Sequence, residues 1–126
     1  MRVKVETNNA PAAIGPYSQA IKANGFLFIS GQIPINPATG QIEAVDAVTQ
    51  TKQVMENLRG ILASQGMTFD DVVKTTIFLT DIGDFGRVND VYASYMLSDA
   101  PARSTVQVAA LPRGAKVEIE AIAVLP

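Results

Sequence analysis

Apolar residues recur along this chain with two different periods, and each switch of period marks a new element. Val3 and Val5 alternate with Arg2, Lys4 and Glu6, which predicts a short first strand. Residues 8–16 contain Pro11, Gly15 and Pro16 and read as a loop. Residues 18–23 and 26–30 read as two strands joined at Asn24-Gly25, a pair suited to a tight hairpin. Residues 31–34 close the third strand, and residues 36–40 form another turn. The period then lengthens. Thr51, Val54, Met55, Leu58, Ile61 and Leu62 lie three and four apart, one helical stripe, with Asp46 placed to cap it and Gly66 to end it. Residues 72–80 alternate again, with Val73, Thr75, Ile77 and Leu79 on one face and Lys74, Thr76, Phe78 and Thr80 on the other. A second helix, capped by Asp81 or Asp84, carries the stripe Phe85, Val88, Tyr92, Tyr95 and Met96. Two strands follow, near 104–109 and 116–125, separated by Leu111-Pro112-Arg113-Gly114.

The order is three strands, a helix, a strand, a helix and two strands. It predicts one α+β domain, residues 1–126, with a mixed or antiparallel sheet and two helices on one face. Residues 26–29 and 121–125 are apolar on both faces, so the second face of the sheet also needs cover. No further element of the chain can supply it. A homo-oligomer with packed sheets, and a site between its subunits, is expected.

Composition narrows the chemistry. With 126 residues and 48% hydrophobic residues, the chain can bury a core. It has no Cys, His or Trp. Disulfides, thiolate nucleophiles and Ser-His pairs are excluded, and zinc, copper or iron–sulfur sites of the usual kind are disfavoured. Proton transfer must use Glu, Asp, Lys, Tyr or water. No metal-ligand spacing, phosphate loop or dinucleotide fingerprint is present, so no metal or cofactor is expected. The net charge is −2 and the cations are scattered, which disfavours nucleic acid as a partner. The first residues alternate like a strand rather than a signal peptide, and no apolar run is long enough to span a bilayer. A soluble cytoplasmic protein is expected.

Candidate chemistry concentrates in the last quarter. Arg103 opens an apolar strand between the small residues Ala102 and Ser104. It reads either as a surface or ion-paired arginine, or as a bidentate anchor for a ligand carboxylate. Glu118 and Glu120 follow on an apolar strand expected to neighbour it, on one face and roughly 6.5–7 Å apart. One of them, partly buried, would be a proton shuttle; the residues alone do not say which. Thr105 shares the strand parity of Arg103 and could line the same pocket. Tyr17 sits in a loop, where its phenol could meet a substrate oxygen or its ring a flat molecule. At Ser30-Gly31 the glycine permits close backbone approach. Asn89, beside the second helical stripe, is expected to bond backbone.

In order, these segments resemble the RidA (YjgF/L-PSP) family across essentially the whole chain. The blocks are Ala10-Pro11-Ala12-Ala13-Ile14-Gly15-Pro16-Tyr17-Ser18-Gln19-Ala20, Ser30-Gly31-Gln32-Ile33-Pro34, residues 72–79, Val88-Asn89 with Tyr92, and Pro101-Ala102-Arg103-Ser104 through Val117-Glu118-Ile119-Glu120-Ala121. The resemblance implies a chorismate-mutase-like fold, a homotrimer, and clefts at the subunit interfaces. It implies a hydrolase that converts 2-iminobutanoate and 2-iminopropanoate to 2-keto acids and ammonia without a cofactor. Arg103 falls on the family's carboxylate-binding arginine and Glu118, not Glu120, on the glutamate that orients water. Tyr17, Ser30, Gly31 and Asn89 match further cleft positions. Many members carry Cys where this chain has Thr105, so thiol chemistry there is lost while a backbone N–H contact survives. Rival readings are a keto-acid-binding module without turnover, a chaperone-like trimer, and the ribonuclease activity described for some relatives.

Overall fold

A computed structural model describes residues 1–126. Its strands are β1 (Val3–Val5), β2 (Ala20–Ala23), β3 (Phe26–Gln32), β4 (Ile35–Asn36), β5 (Gln41–Ile42), β6 (Val72–Leu79), β7 (Ala102–Gln107) and β8 (Val117–Val124). The helices are α1 (Ala47–Ser64) and α2 (Phe85–Ser94). Six strands form one sheet in the order β1-β2-β3-β8-β6-β7, and β4 and β5 form a separate small hairpin. All sheet pairings are antiparallel except β6 with β7. The chain is therefore an α+β domain with a mixed sheet and two helices on one face.

Local chemistry accounts for the boundaries. Asn24 and Gly25 both take positive φ, 52° and 80°, as a tight hairpin between twisted strands requires. Asp46 accepts from the Thr49 N–H at 2.8 Å and caps α1. Gly66, at φ 69°, ends it, and the Met67 N–H returns to the Leu62 carbonyl. Asp81 caps the short 3-10 turn that leads into α2, whereas the Asp84 side chain makes no capping bond to α2.

The core lies between the helices and one face of the sheet. Val54, Met55, Leu58, Ile61 and Leu62 of α1 meet Leu27, Ile77, Leu79, Val117 and Ile119, all at most 1% exposed. The strand β6 departs from the alternation expected of it. Its register with β8 shifts between Val72 and Lys74, so Val72 is buried and Val73 turns outward, 43% exposed. Three further boundaries move. β2 starts at Ala20, β3 runs on through Gly31 and Gln32, and β7 begins at Ala102 rather than near 104. Tyr95 and Met96 lie past the end of α2 but still pack against the core.

The other face of the sheet is open. Phe26, Phe28 and Val124 are about 40% exposed there, at 39%, 44% and 40%. Val106 joins them from β7 at 43%. No helix is long and apolar enough to cross a membrane.

Candidate functional site

Strand register decides which side chains meet. Arg103 is paired in β7 with Thr75 of β6, and Thr75 with Ala121 of β8. Thr75 and Ala121 are buried under the helices, so Arg103 points to the helix face of the sheet. Glu118 is paired with Phe78, one position out of phase, and points to the open face. β6 runs between the two strands, so β7 and β8 are not neighbours as expected. Within one chain Arg103 and Glu118 thus lie two strand spacings apart across the sheet, about 10 Å, with a further offset of three residues along the strands, and on opposite faces. The sequence-predicted site residues fall into two groups.

The first group surrounds Arg103. Its Nη1 donates to Asn89 Oδ1 at 2.7 Å. Its guanidinium carbon lies 5.1 Å from the ring centroid of Tyr92 and 5.3 Å from that of Phe85. Asn89 therefore supports the arginine through its side chain rather than bonding backbone. The chain's ion pairs are Lys4–Glu6, Arg59–Glu56 and Arg87–Asp84, and Arg103 belongs to none. Ile82, Phe85, Arg103 and Thr105 line an open depression of about 430 Å³ beside it. Thr105 Oγ1 is buried there without a hydrogen-bond partner. Beneath, the Tyr92 hydroxyl and Thr75 Oγ1 share a 2.7 Å hydrogen bond. Burial pushes the Tyr92 phenol above its usual range, against the opposing pull of that bond and of Arg103.

The second group surrounds Glu118. Tyr17, Ser30, Gly31, Arg113, Glu118 and Glu120 help to line a cavity of about 700 Å³. Glu118 is half-buried. Its carboxyl is pushed up from the ordinary carboxylate range, first by burial and then by the Glu120 charge. Gly31 sits where the pairing of β3 with β8 breaks, between Ile29 and Gln32. A Cβ at Gly31 would collide with the Glu118 carboxylate, so the glycine gives that side chain its place. Ser30 Oγ donates to the Ser18 carbonyl, and the Ser30 N–H to the Gln19 carbonyl at 3.0 Å. Both bonds hold the loop that carries Tyr17, which is 52% exposed.

Two residues outside the sequence-predicted set complete this half. Gln19 is 4% exposed; its amide donates to the carbonyls of Thr7, Ala10 and Pro11 and accepts from the Thr7 N–H at 2.7 Å. It fixes the loop before Tyr17, and no periodicity marks it. Arg113 adopts φ 58° in the turn Pro112–Gly114 and donates to the Gly40 carbonyl and to Gln41 Oε1. Its only sequence signal is the Pro-Arg-Gly turn itself.

The fold and these two groups define a small α+β protein with an arginine free of any carboxylate partner beside one depression and a half-buried carboxyl in a cavity on the other face. The chain belongs to the endoribonuclease L-PSP family, the RidA/YjgF proteins, which matches residues 7–125. It is 56% identical to Protein DfrA of Myxococcus xanthus over 98% of this chain and 95% of that one. It is 50% identical to the 2-iminobutanoate/2-iminopropanoate deaminase of Mus musculus over 98% and 92% of the two chains. The solved structure of E. coli TdcF with bound serine superposes with a TM-score of 0.93 at 43% identity, covering 97% and 98%.

Proposed function

We propose that the protein is an imine deaminase that hydrolyses 2-iminobutanoate and 2-iminopropanoate to 2-keto acids and ammonia. The observation that carries the reading is Arg103. Its guanidinium is held by a neutral partner, Asn89, and by two aromatic rings, and it pairs with no carboxylate of its own chain. A charged fork kept free beside a depression suits the carboxylate of a small acid. The deaminase name of the mouse relative and the serine bound to TdcF both support a ligand of that class.

The two half-sites belong to one reaction only if copies share them. Since Arg103 and Glu118 face opposite sides of one sheet, a homotrimer with Arg103 of one protomer against Glu118 of the next is the arrangement we propose. The open apolar face, with Phe26, Phe28, Val106 and Val124, is where a neighbouring copy would pack.

The chemistry then asks little of the protein. Arg103 holds the substrate carboxylate and so places the imine carbon beside a water on Glu118. The water oxygen bonds to that carbon while Glu118 takes a water proton. The C=N electron pair of the protonated imine moves to nitrogen and gives a neutral carbinolamine. Glu118 returns the proton to nitrogen. The C–N bond breaks, ammonia leaves, and the remaining hydroxyl gives its proton to the again ionised Glu118 as the keto acid forms; the proton then passes to water or ammonia. Tyr17, the Gly31 backbone and Thr105 would complete the walls.

The test is a time course of ammonia and keto acid with a dehydratase generating imines from several amino acids. Arg103→Ala should nearly abolish acceleration, and Arg103→Lys should also be poor because the fork is lost. Unchanged rates from Arg103→Ala would overturn the proposal. The serine bound to TdcF favours one second reading, a ligand-binding module without turnover. In that case the wild type binds keto acids, releases no ammonia, and Glu118→Gln leaves affinity intact.

A further inference from the structure

The open face of the sheet is largely apolar around Phe26, Phe28, Ile122 and Val124. Besides Glu118 and the Arg2 side chain at its rim, it carries Lys74 and Glu120, neither of which the chain pairs with an opposite charge. Lys74 on β6 and Glu120 on β8 line one cavity of about 700 Å³ on that face, with Ile21, Phe28 and Ile122 among its walls. Glu120 is paired with Thr76, and Lys74 with Ile122, so the two charges sit diagonally on adjacent strands. They do not bond to each other. Lys74 Nζ instead donates to Ser104 Oγ at 3.2 Å. Ser104 lies on β7, so the ammonium leans away from β8 and from Glu120. Neither residue takes part in any of the chain's ion pairs.

An unpaired charge on an apolar face is tolerated only while water reaches it. Once a second copy covers the face, each charge needs an opposite partner or the contact weakens. A cyclic assembly supplies one naturally. Its contacts are head-to-tail, so a patch on one copy meets a different patch on the next. Lys74 leans across β7 while Glu120 stays on β8, so although diagonal neighbours they present a cation and an anion toward opposite sides of the face, as that geometry requires.

We infer that Lys74 and Glu120 form the polar core of the contact between copies, the ammonium of one protomer meeting the carboxylate of the next. This rests on the oligomer proposed above, but it makes a separate claim about what sets the register.

Sedimentation across a concentration range separates the two. A monomeric wild type at all concentrations would sink both the oligomer and the pair. Given an oligomeric wild type, Lys74→Glu and Glu120→Lys should each raise the dissociation constant at least about tenfold, and the double charge swap should recover most of the loss. Single variants that assemble like the wild type would overturn the pair while leaving the oligomer standing. Folding of each variant is checked by circular dichroism. Because the chain has no cysteine, cross-linking gives an independent measurement. Co-expressed Lys74→Cys and Glu120→Cys chains, treated with a short bis-maleimide, should yield a covalent dimer on a denaturing gel, whereas either chain alone should not. A mixture that gives no dimer would overturn the inference even if the charge variants dissociate.

Discussion

Asn89 Oδ1 accepts a 2.7 Å hydrogen bond from Arg103 Nη1, and it is the arginine's only polar partner in the chain. The neutral amide orients the guanidinium without cancelling its charge. A carboxylate at the same place would do both. Asn89→Ala should therefore raise KM for the imino acid about tenfold, the cost of one hydrogen bond to a charged group, with a smaller change in kcat. Asn89→Asp should be worse than Asn89→Ala, because the new carboxylate competes with the substrate for Arg103. Steady-state kinetics of both variants decide this. Equal KM values for Asp and Ala would contradict the anchor role.

Gly31 and Glu118 make a second dependent pair. A Cβ at Gly31 meets the far end of the Glu118 side chain rather than backbone. The chain can relieve that contact by moving the carboxylate, so folding should tolerate Gly31→Ala. Catalysis should not, since a displaced base no longer reaches the water. The expected result is a kcat at least about tenfold lower, with a melting temperature within a few degrees of wild type. Wild-type kcat from a folded Gly31→Ala chain would remove Glu118 from the reaction.

The sheet, both helices and the buried stripe of α1 were legible in the sequence because period and capping residues signal them locally. The Val73 position was not. Its exposure comes from a register shift against β8, a strand more than forty residues later. The candidate site divided in the same way. That Arg103 shares a face with Thr105, and Glu118 with Glu120, follows from strand parity. That β6 lies between their strands, and that the two pairs face opposite layers, depends on sheet order, which no local pattern encodes. Asn89 was singled out in the sequence, but its partner Arg103 lies on another element fourteen residues on.

Under the anchor, Thr75 and Tyr92 bury a shared hydrogen bond of 2.7 Å. Thr75→Val leaves the Tyr92 hydroxyl without its partner and should cost about 1–3 kcal/mol. Tyr92→Phe should cost a similar amount, because Thr75 is 2% exposed and loses its partner in turn. The double variant removes both polar groups together and should be markedly less destabilised than the sum of the singles. Urea denaturation of the four proteins measures the coupling. Strict additivity would show that other partners satisfy the two hydroxyls.

Glu118 ties activity and stability to pH with opposite signs. Burial, and secondarily Glu120, raises its pKa above the ordinary carboxylate range. As a base it works only when ionised, so kcat/KM should fall on acidification at a pH above that ordinary range. Stability runs the other way. Between the ordinary value and the raised one, the folded chain keeps a proton that the unfolded chain has released. Folded protein therefore binds more protons there, and its stability declines as pH rises through that window. The contribution is complete below the unfolded pKa and lost above the folded one. Glu118→Gln cannot ionise, so it should lack this decline and retain only residual activity at every pH. Urea midpoints and kcat/KM measured across the same pH series test both halves. An acid limb at the ordinary carboxylate value, or an unchanged stability profile in Glu118→Gln, would contradict the role given to burial at this residue.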